Sequence, residues 1–177
     1  MFALYKCSHD DTWRYVLGTS GVRPLFVVGI NPHIATRLKG DRSVQKVENV
    51  ALRNGYDSFV MLNVYPVRSR QVADLPKRPH ASAISENEVA IGGTVSKFSA
   101  LHVWAAWGDD IDRREYLVAA ARSLIARLSA QNAVWVHYGS LTKRGHPRHP
   151  SRLSYSWTFS NFSAKSYSAR YNESPPQ

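Results

Sequence analysis

The sequence predicts an α/β protein, a three-layer αβα domain around a four-stranded central parallel sheet. Three observations predict it. Four short apolar runs have strand length, helical patterns fill the gaps between them, and each run closes on a polar residue or a glycine. The first run is Pro24 to Asn31 (PLFVVGIN), followed by Ser58 to Asn63 (SFVMLN), Leu101 to Gly108 (LHVWAAWG) and Ala133 to Gly139 (AVWVHYG). Their continuous apolar character fits strands covered on both faces. Between the first two, Val44, Val47 and Ala51 share a helical face and Gly55 supplies a stop. Between the second and third, Ser85 and Glu88 read as an S-x-x-E capping box ahead of Val89, Val95 and Phe98, with Gly92-Gly93 weakening that helix. After Asp109-Asp110, Leu117, Ala121, Leu124, Ile125 and Leu128 share one face, with Arg127 near the end. Thr12 to Leu17 (TWRYVL) adds an antiparallel N-terminal strand.

At 177 residues the chain has the length of one domain. Residues 1–165 read as that domain. Residues 166–177, poor in core-forming side chains and carrying Pro175-Pro176, read as a flexible tail. Cys7 is the lone cysteine, which excludes an internal disulfide framework and a thiolate-built zinc or iron–sulfur site. No run reaches the roughly 18 apolar residues of a membrane span, and Met1 to Asp11 lacks the apolar stretch of a signal peptide. A cytoplasmic monomer is expected.

The charge is unusual: 23 Lys+Arg against 13 Asp+Glu, a net +10. Such an excess points to nucleic acid first and an anionic membrane second. Position sharpens this. In open α/β sheets ligands bind beyond the carboxyl ends of the strands. The segments there, 31–42, 63–78, 108–114 and 139–152, hold 13 of the 23 basic and 5 of the 13 acidic residues, a net +8. Loops are generally charged, but they need not be of one sign.

Four strand-end motifs occur in order: Gly29-Ile30-Asn31-Pro32, Val60-Met61-Leu62-Asn63, Ala106-Trp107-Gly108 and His149-Pro150-Ser151-Arg152-Leu153-Ser154. In these motifs, over residues 24–154, the sequence resembles the uracil-DNA glycosylase superfamily. The G-I-N-P loop is closest to the mismatch-specific and thymine-DNA glycosylase branch. The chain also looks similar to a family of small bacterial and phage proteins with G-H-P-R-H-P near the C-terminus. The resemblance implies a uracil-DNA-glycosylase-like fold and a monofunctional DNA glycosylase that flips a base from duplex or single-stranded DNA. No cofactor and no metal are implied.

Breaking an N-glycosidic bond leaves an electron-poor sugar and an anionic base. Such chemistry needs a polar group that places water and donors aimed at the leaving base. By resemblance, Asn31 positions the water and His149 donates to the departing base. An amide orients water without deprotonating it. Asn31 and Pro32 equally suit a strand-to-helix turn, and His149 equally suits a loop residue pinned between two prolines. Asn63 matches the residue that reads the base edge, since an amide offers both donor and acceptor; a strand-end Asn also satisfies local backbone. Pro32, His33, Tyr65 and Trp107 complete the base-binding set, the last two as stacking candidates. Leu153 stands at the wedge position, although a leucine there is equally core. Arg148, Arg152 and Ser151 flank it as phosphate contacts, joined by Lys143, Arg144, Arg68 and Arg70. His146 either contacts phosphate or holds the loop; with His149 it makes a pair that lacks an evident third metal ligand.

Departures from the pattern bear on the substrate. His33 is neither the bulky Tyr nor the small Gly usual after that loop, Arg152 replaces a second proline, and Tyr65-Pro66 follows Asn63. They suggest an altered pyrimidine, of the kind carried by phage DNA in a defence setting. Alternatives are a non-catalytic nucleic-acid-binding module on the same fold, or an enzyme acting on free nucleotides.

Overall fold

The computed structural model describes residues 1–171. Seven strands form one sheet: β1 (Leu4–Cys7), β2 (Arg14–Gly18), β3 (Pro24–Gly29), β4 (Ser58–Asn63), β5 (His102–Ala105), β6 (Val134–Tyr138) and β7 (Phe159–Asn161). Their spatial order is β1-β2-β4-β3-β5-β6-β7. The α/β class is as expected, but the sheet is mixed and larger than four strands. The inner β4, β3, β5 and β6 pair in parallel, whereas β1 and β2 on one side and β7 on the other are antiparallel additions.

Alternation along each inner strand feeds two cores, as the pleat requires. Phe26, Val28, Val60, Leu62 and Val103 join one; Leu25, Val27, Phe59, Met61 and Trp104 join the other. Helix α1 (Arg42–Arg53) packs Val44, Val47, Val50 and Ala51 onto the second core. Helices α2 (Ala81–Val95), α3 (Glu115–Ser129) and α4 (Ala164–Ala169) cover the first. Each fully buried Val, Leu or Ile contributes about 1.5–3 kcal/mol relative to exposure.

Helix α1 starts at Asp41, whose carboxylate accepts from Ser43 N and Val44 N at 2.9 and 3.0 Å. It stops before Gly55, at φ +79°. Helix α3 buries the five residues its spacing selects. Helix α2 departs from expectation. It begins at Ala81, so Ser85 and Glu88 lie inside it and form no capping box. Glu88 instead reaches α3, accepting from Ser123 Oγ at 2.7 Å and pairing with Arg127 at 3.0 Å. Packing does not demand the Gly92-Gly93 pair, since a Cβ on Gly93 meets nothing within 4 Å.

The expected tail divides. Residues 166–171 belong to α4 and the turn after it, with Tyr167 6% exposed; residues 172–177 lie outside the described residues. No helix among the described residues is long and apolar enough to cross a membrane.

Candidate active site

A cleft of about 750 Å³ opens at the carboxyl ends of the parallel strands, where the chain leaves β3, β4 and β5 and where the 139–152 loop returns. Asn31, Asn63 and His149 all line it.

Asn31 follows β3 directly. Its Nδ2 donates to Pro32 O and Ser69 O, each at 3.0 Å, and lies 3.5 Å from Val67 O. Three carbonyls around one terminal atom require that atom to be nitrogen, which fixes the amide's orientation. Oδ1 makes no hydrogen bond among the described residues and is left as an acceptor. The loop behind it is zipped by Ser69 N to Pro32 O and by Arg68, whose guanidinium bonds Asp11 O, His33 O, Ala35 O, Tyr5 Oη and Asp11 Oδ1 at 2.6–2.9 Å.

Asn63 ends β4 in register with Gly29. A Cβ on Gly29 would stand 3.2 Å from Asn63 Oδ1, so glycine makes room for this amide. Asn63 is 1% exposed, and its Nδ2 has no partner among the described residues. A buried unsatisfied donor costs about 1–3 kcal/mol. Here the unused N–H belongs to a cleft-lining residue. The backbone around it is secured separately, Asn87 Nδ2 donating to Asn63 O at 2.9 Å.

His149 precedes a 3-10 turn, Pro150–Arg152. Its Nδ1 accepts from Ser151 N at 3.2 Å and lies 2.9 Å from Ser151 Oγ. A ring nitrogen that accepts from a backbone N–H carries no proton, so the neutral tautomer bears its proton on Nε2. Burial pushes the His149 pKa below the ordinary imidazole value, which keeps the ring neutral at pH 7. The neighbouring strand end is shaped to receive this loop. Gly108 sits at φ +74°, donates to Pro147 O at 2.9 Å, and would place a Cβ 3.2 Å from His149 Cβ. From α1, Lys46 Nζ donates to Ser151 O at 2.8 Å.

The walls carry Arg14, Arg42, Arg70, Arg113, Arg148 and Arg152 against Asp41, Asp109 and Asp110. The cleft is therefore positive, though less so than the loop sequences imply. Arg113 is ion-paired with Asp110, and Arg148 donates to Ser140 O at 2.8 Å beneath its stacking on Trp157. Arg42, Arg70 and Arg152 are exposed on the rim. His33 also lines the cleft, exposed, with Nδ1 4.0 Å from Asp41 Oδ2.

Other expected site residues lie elsewhere. Tyr65 is fully buried, accepts from His80 N at 3.0 Å and packs on Tyr116, so it is core rather than a stacking surface. Trp107 touches the cleft wall but is 1% exposed. Its ring packs among Trp135, Phe162 and Tyr167, and its Nε1 donates to Tyr167 Oη at 2.9 Å. Pro32 is buried behind Asn31. Leu153, 9% exposed, packs in the α1 core and is not a wedge. His146 is 1% exposed, with Nδ1 2.8 Å from Tyr167 Oη and Nε2 2.9 Å from Asp112 Oδ2; it holds the loop and does not line the cleft. Arg68 is consumed by its five bonds, and Arg144 pairs with Asp112 at 2.5 Å. Arg144 and the exposed Lys143 lie off the cleft.

Among the cleft residues not singled out from the sequence, two stand out by their surroundings. Asp41 caps α1 and lines the cleft. Arg14, 2% exposed, lines the cleft from β2. Its one signal is a charged residue inside the apolar run TWRYVL. Among the described residues no three His, Cys, Asp or Glu side chains gather to hold a metal.

A family model matches residues 14–151, and the chain belongs to that family, described as protein of unknown function (DUF1643). The matched span runs from Arg14 through the cleft loops to Ser151. No curated protein and no solved structure matches the chain.

Proposed function

We propose that the cleft is the active site of a monofunctional DNA glycosylase that hydrolyses the N-glycosidic bond of a modified pyrimidine. The observation that carries this reading is the unpartnered Asn63 Nδ2 on a cleft that Asn31 and His149 also line. The three side chains offer a fixed acceptor, a buried donor and a neutral imidazole N–H. A pyrimidine bound there receives Asn63 Nδ2–H on its edge. As the bond from the sugar carbon to the base nitrogen breaks, its electron pair leaves with the base. His149 Nε2–H and Asn63 Nδ2–H stabilise that negative charge, each such donor being worth about 10²–10³ in rate. A water donating to Asn31 Oδ1 then adds its oxygen to the sugar carbon, and the proton it loses passes through solvent to the departed base anion, leaving a sugar hydroxyl and neutral base. No lysine lines the described cleft, so no Schiff base with the sugar is available and strand cleavage is not part of the reaction.

Oligonucleotides carrying modified pyrimidines test this directly. Wild-type protein generates alkali-labile abasic sites, while Asn31→Ala and His149→Ala do not. Intact strands with every modified pyrimidine, despite bound DNA, would overturn the reading.

A second reading keeps the chemistry and changes the substrate to a free nucleotide. It is favoured by the burial of Leu153 and His146 and the internal pairing of Arg68 and Arg144, which remove much of the expected grip on DNA. Salt separates the two: a duplex binder loses affinity steeply between 50 and 200 mM salt, at about 10³-fold or more for six phosphates. A mononucleotide binder does not.

A further inference from the structure

Arg14 is the one buried charge on the cleft among the described residues, and most of its donors are unused. Its side chain makes one hydrogen bond among the described residues, Nη1 to Ala35 O at 3.2 Å. Nε is buried with no partner, and the residue is 2% exposed. No carboxylate pairs with it. Asp41, also on the cleft, has Oδ1 committed to the start of α1, and the neighbouring Arg68 adds a like charge. Burial, with that like charge, lowers the Arg14 pKa to about 10, so the guanidinium still carries its proton at neutral pH. A buried cation with one carbonyl partner is costly to keep, and a hydrophobic residue of similar volume would hold the same place more cheaply.

We infer that Arg14 is a receptor for an oxyanion on the substrate, a carboxylate or a phosphate that enters the cleft and takes the unused N–H donors of the guanidinium. The planar fork of donors matches the two oxygens of such a group. The anion has two possible sources: an acidic substituent on the pyrimidine ring, or the phosphate of a nucleotide. This inference rests on the cleft being the substrate site, and it does not require bond cleavage. The apolar pocket-mate Met61 and the amides of Asn31 and Asn63 handle the uncharged part of the ligand.

Binding and thermal stability test it together. Wild-type protein is titrated with deoxyuridine, deoxyuridine 5′-monophosphate, 5-carboxydeoxyuridine and inorganic phosphate. At least one anionic nucleoside binds tightly and raises Tm, and uncharged deoxyuridine does neither. Preference for the monophosphate places the anion on the sugar; preference for the carboxy compound places it on the base. Arg14→Met loses about 100-fold in affinity for the preferred anion, yet its ligand-free Tm is equal to or above wild type, because an unpaired buried charge has gone. Arg14→Lys, which keeps charge without the fork, is intermediate and serves if the Met variant does not fold. Lys165→Ala, exposed on α4 and away from the cleft, leaves the preference intact. The inference is overturned if deoxyuridine binds as well as its anionic forms, or if Arg14→Met or Arg14→Lys binds the anion as wild type does. Absence of base release would sink the glycosylase reading while leaving these results standing.

Discussion

His146 and His149 are three residues apart in one loop and live in opposite surroundings. Around His146 every polar group is committed: Asp112 and Tyr167 take its two nitrogens, Arg170 Nη2 lies 2.9 Å from Nδ1, and Tyr171 donates to Asp112 at 2.9 Å. Around His149 only Nδ1 is engaged, by its own turn, and the other nitrogen is left with a proton to give. Arg68 and Arg14 repeat the contrast, five bonds against one. The saturated member of each pair holds a loop behind the cleft, and the unsaturated member lines it. Residue type therefore does not distinguish the two members of either pair; unspent hydrogen-bonding capacity does, and the proposed site is built from the members that keep it.

The sharpest way to break this comparison is to delete each histidine. His149→Ala is expected to lower turnover by about 10²–10³-fold with Tm within a degree or two of wild type. His146→Ala is expected to do the reverse at first order. Loss of a buried, doubly bonded ring costs about 2–4 kcal/mol, a fall in Tm of about 2–4 °C for each kcal/mol, while the folded fraction retains base release. A large Tm loss in His149→Ala, or none in His146→Ala, would reverse the assignment.

Gly108→Ala probes the seam between the two regions. The left-handed backbone and the 3.2 Å approach to His149 together predict a loss of about 1–2 kcal/mol in stability, accompanied by reduced turnover because the displaced loop carries His149. Kinetics measured well below the new Tm separate the two effects.

Acid pH gives the smallest effect. Burial lowers both imidazole pKa values in the folded state, so below about pH 6.5 the unfolded chain binds more protons than the folded one. Stability from the neutral rings is fully present above that pH and declines as pH falls toward the folded values. Urea midpoints at pH 7.5 and 5.5 should differ less in His146→Ala than in wild type. Turnover should persist below the ordinary imidazole range, since His149 stays a neutral donor there.

Much of this arrangement was legible in the chain. Continuous apolar runs located the four parallel strands, and strand ends located Asn31, Asn63 and His149 on one edge. Side-chain direction was not legible. Tyr65 and Trp107 stand at strand ends too, but point into core packed by α3 and α4, elements distant in sequence. The net +8 of the loops counted charges without showing which are spent inside, as Arg68 and Arg144 are. β7, only Phe159–Asn161, is too short to show a period, and Ser85-x-x-Glu88 is a valid capping pattern that the earlier start at Ala81 overrides. Arg14 was hidden for a different reason. A single charge in an apolar strand reads as an edge residue until the fold shows it buried and unpaired.

Release of free base is the most direct measurement of the central claim. Wild-type protein and Asn31→Ala are incubated with modified-pyrimidine oligonucleotides and with the matching nucleotides, and the products are resolved by mass spectrometry. Free base is expected from wild type on at least one of these substrates, with one oxygen from solvent water in the sugar product, and both are expected to be lost in Asn31→Ala. Equal release by the two proteins, or bound substrate that never yields free base, would contradict that claim.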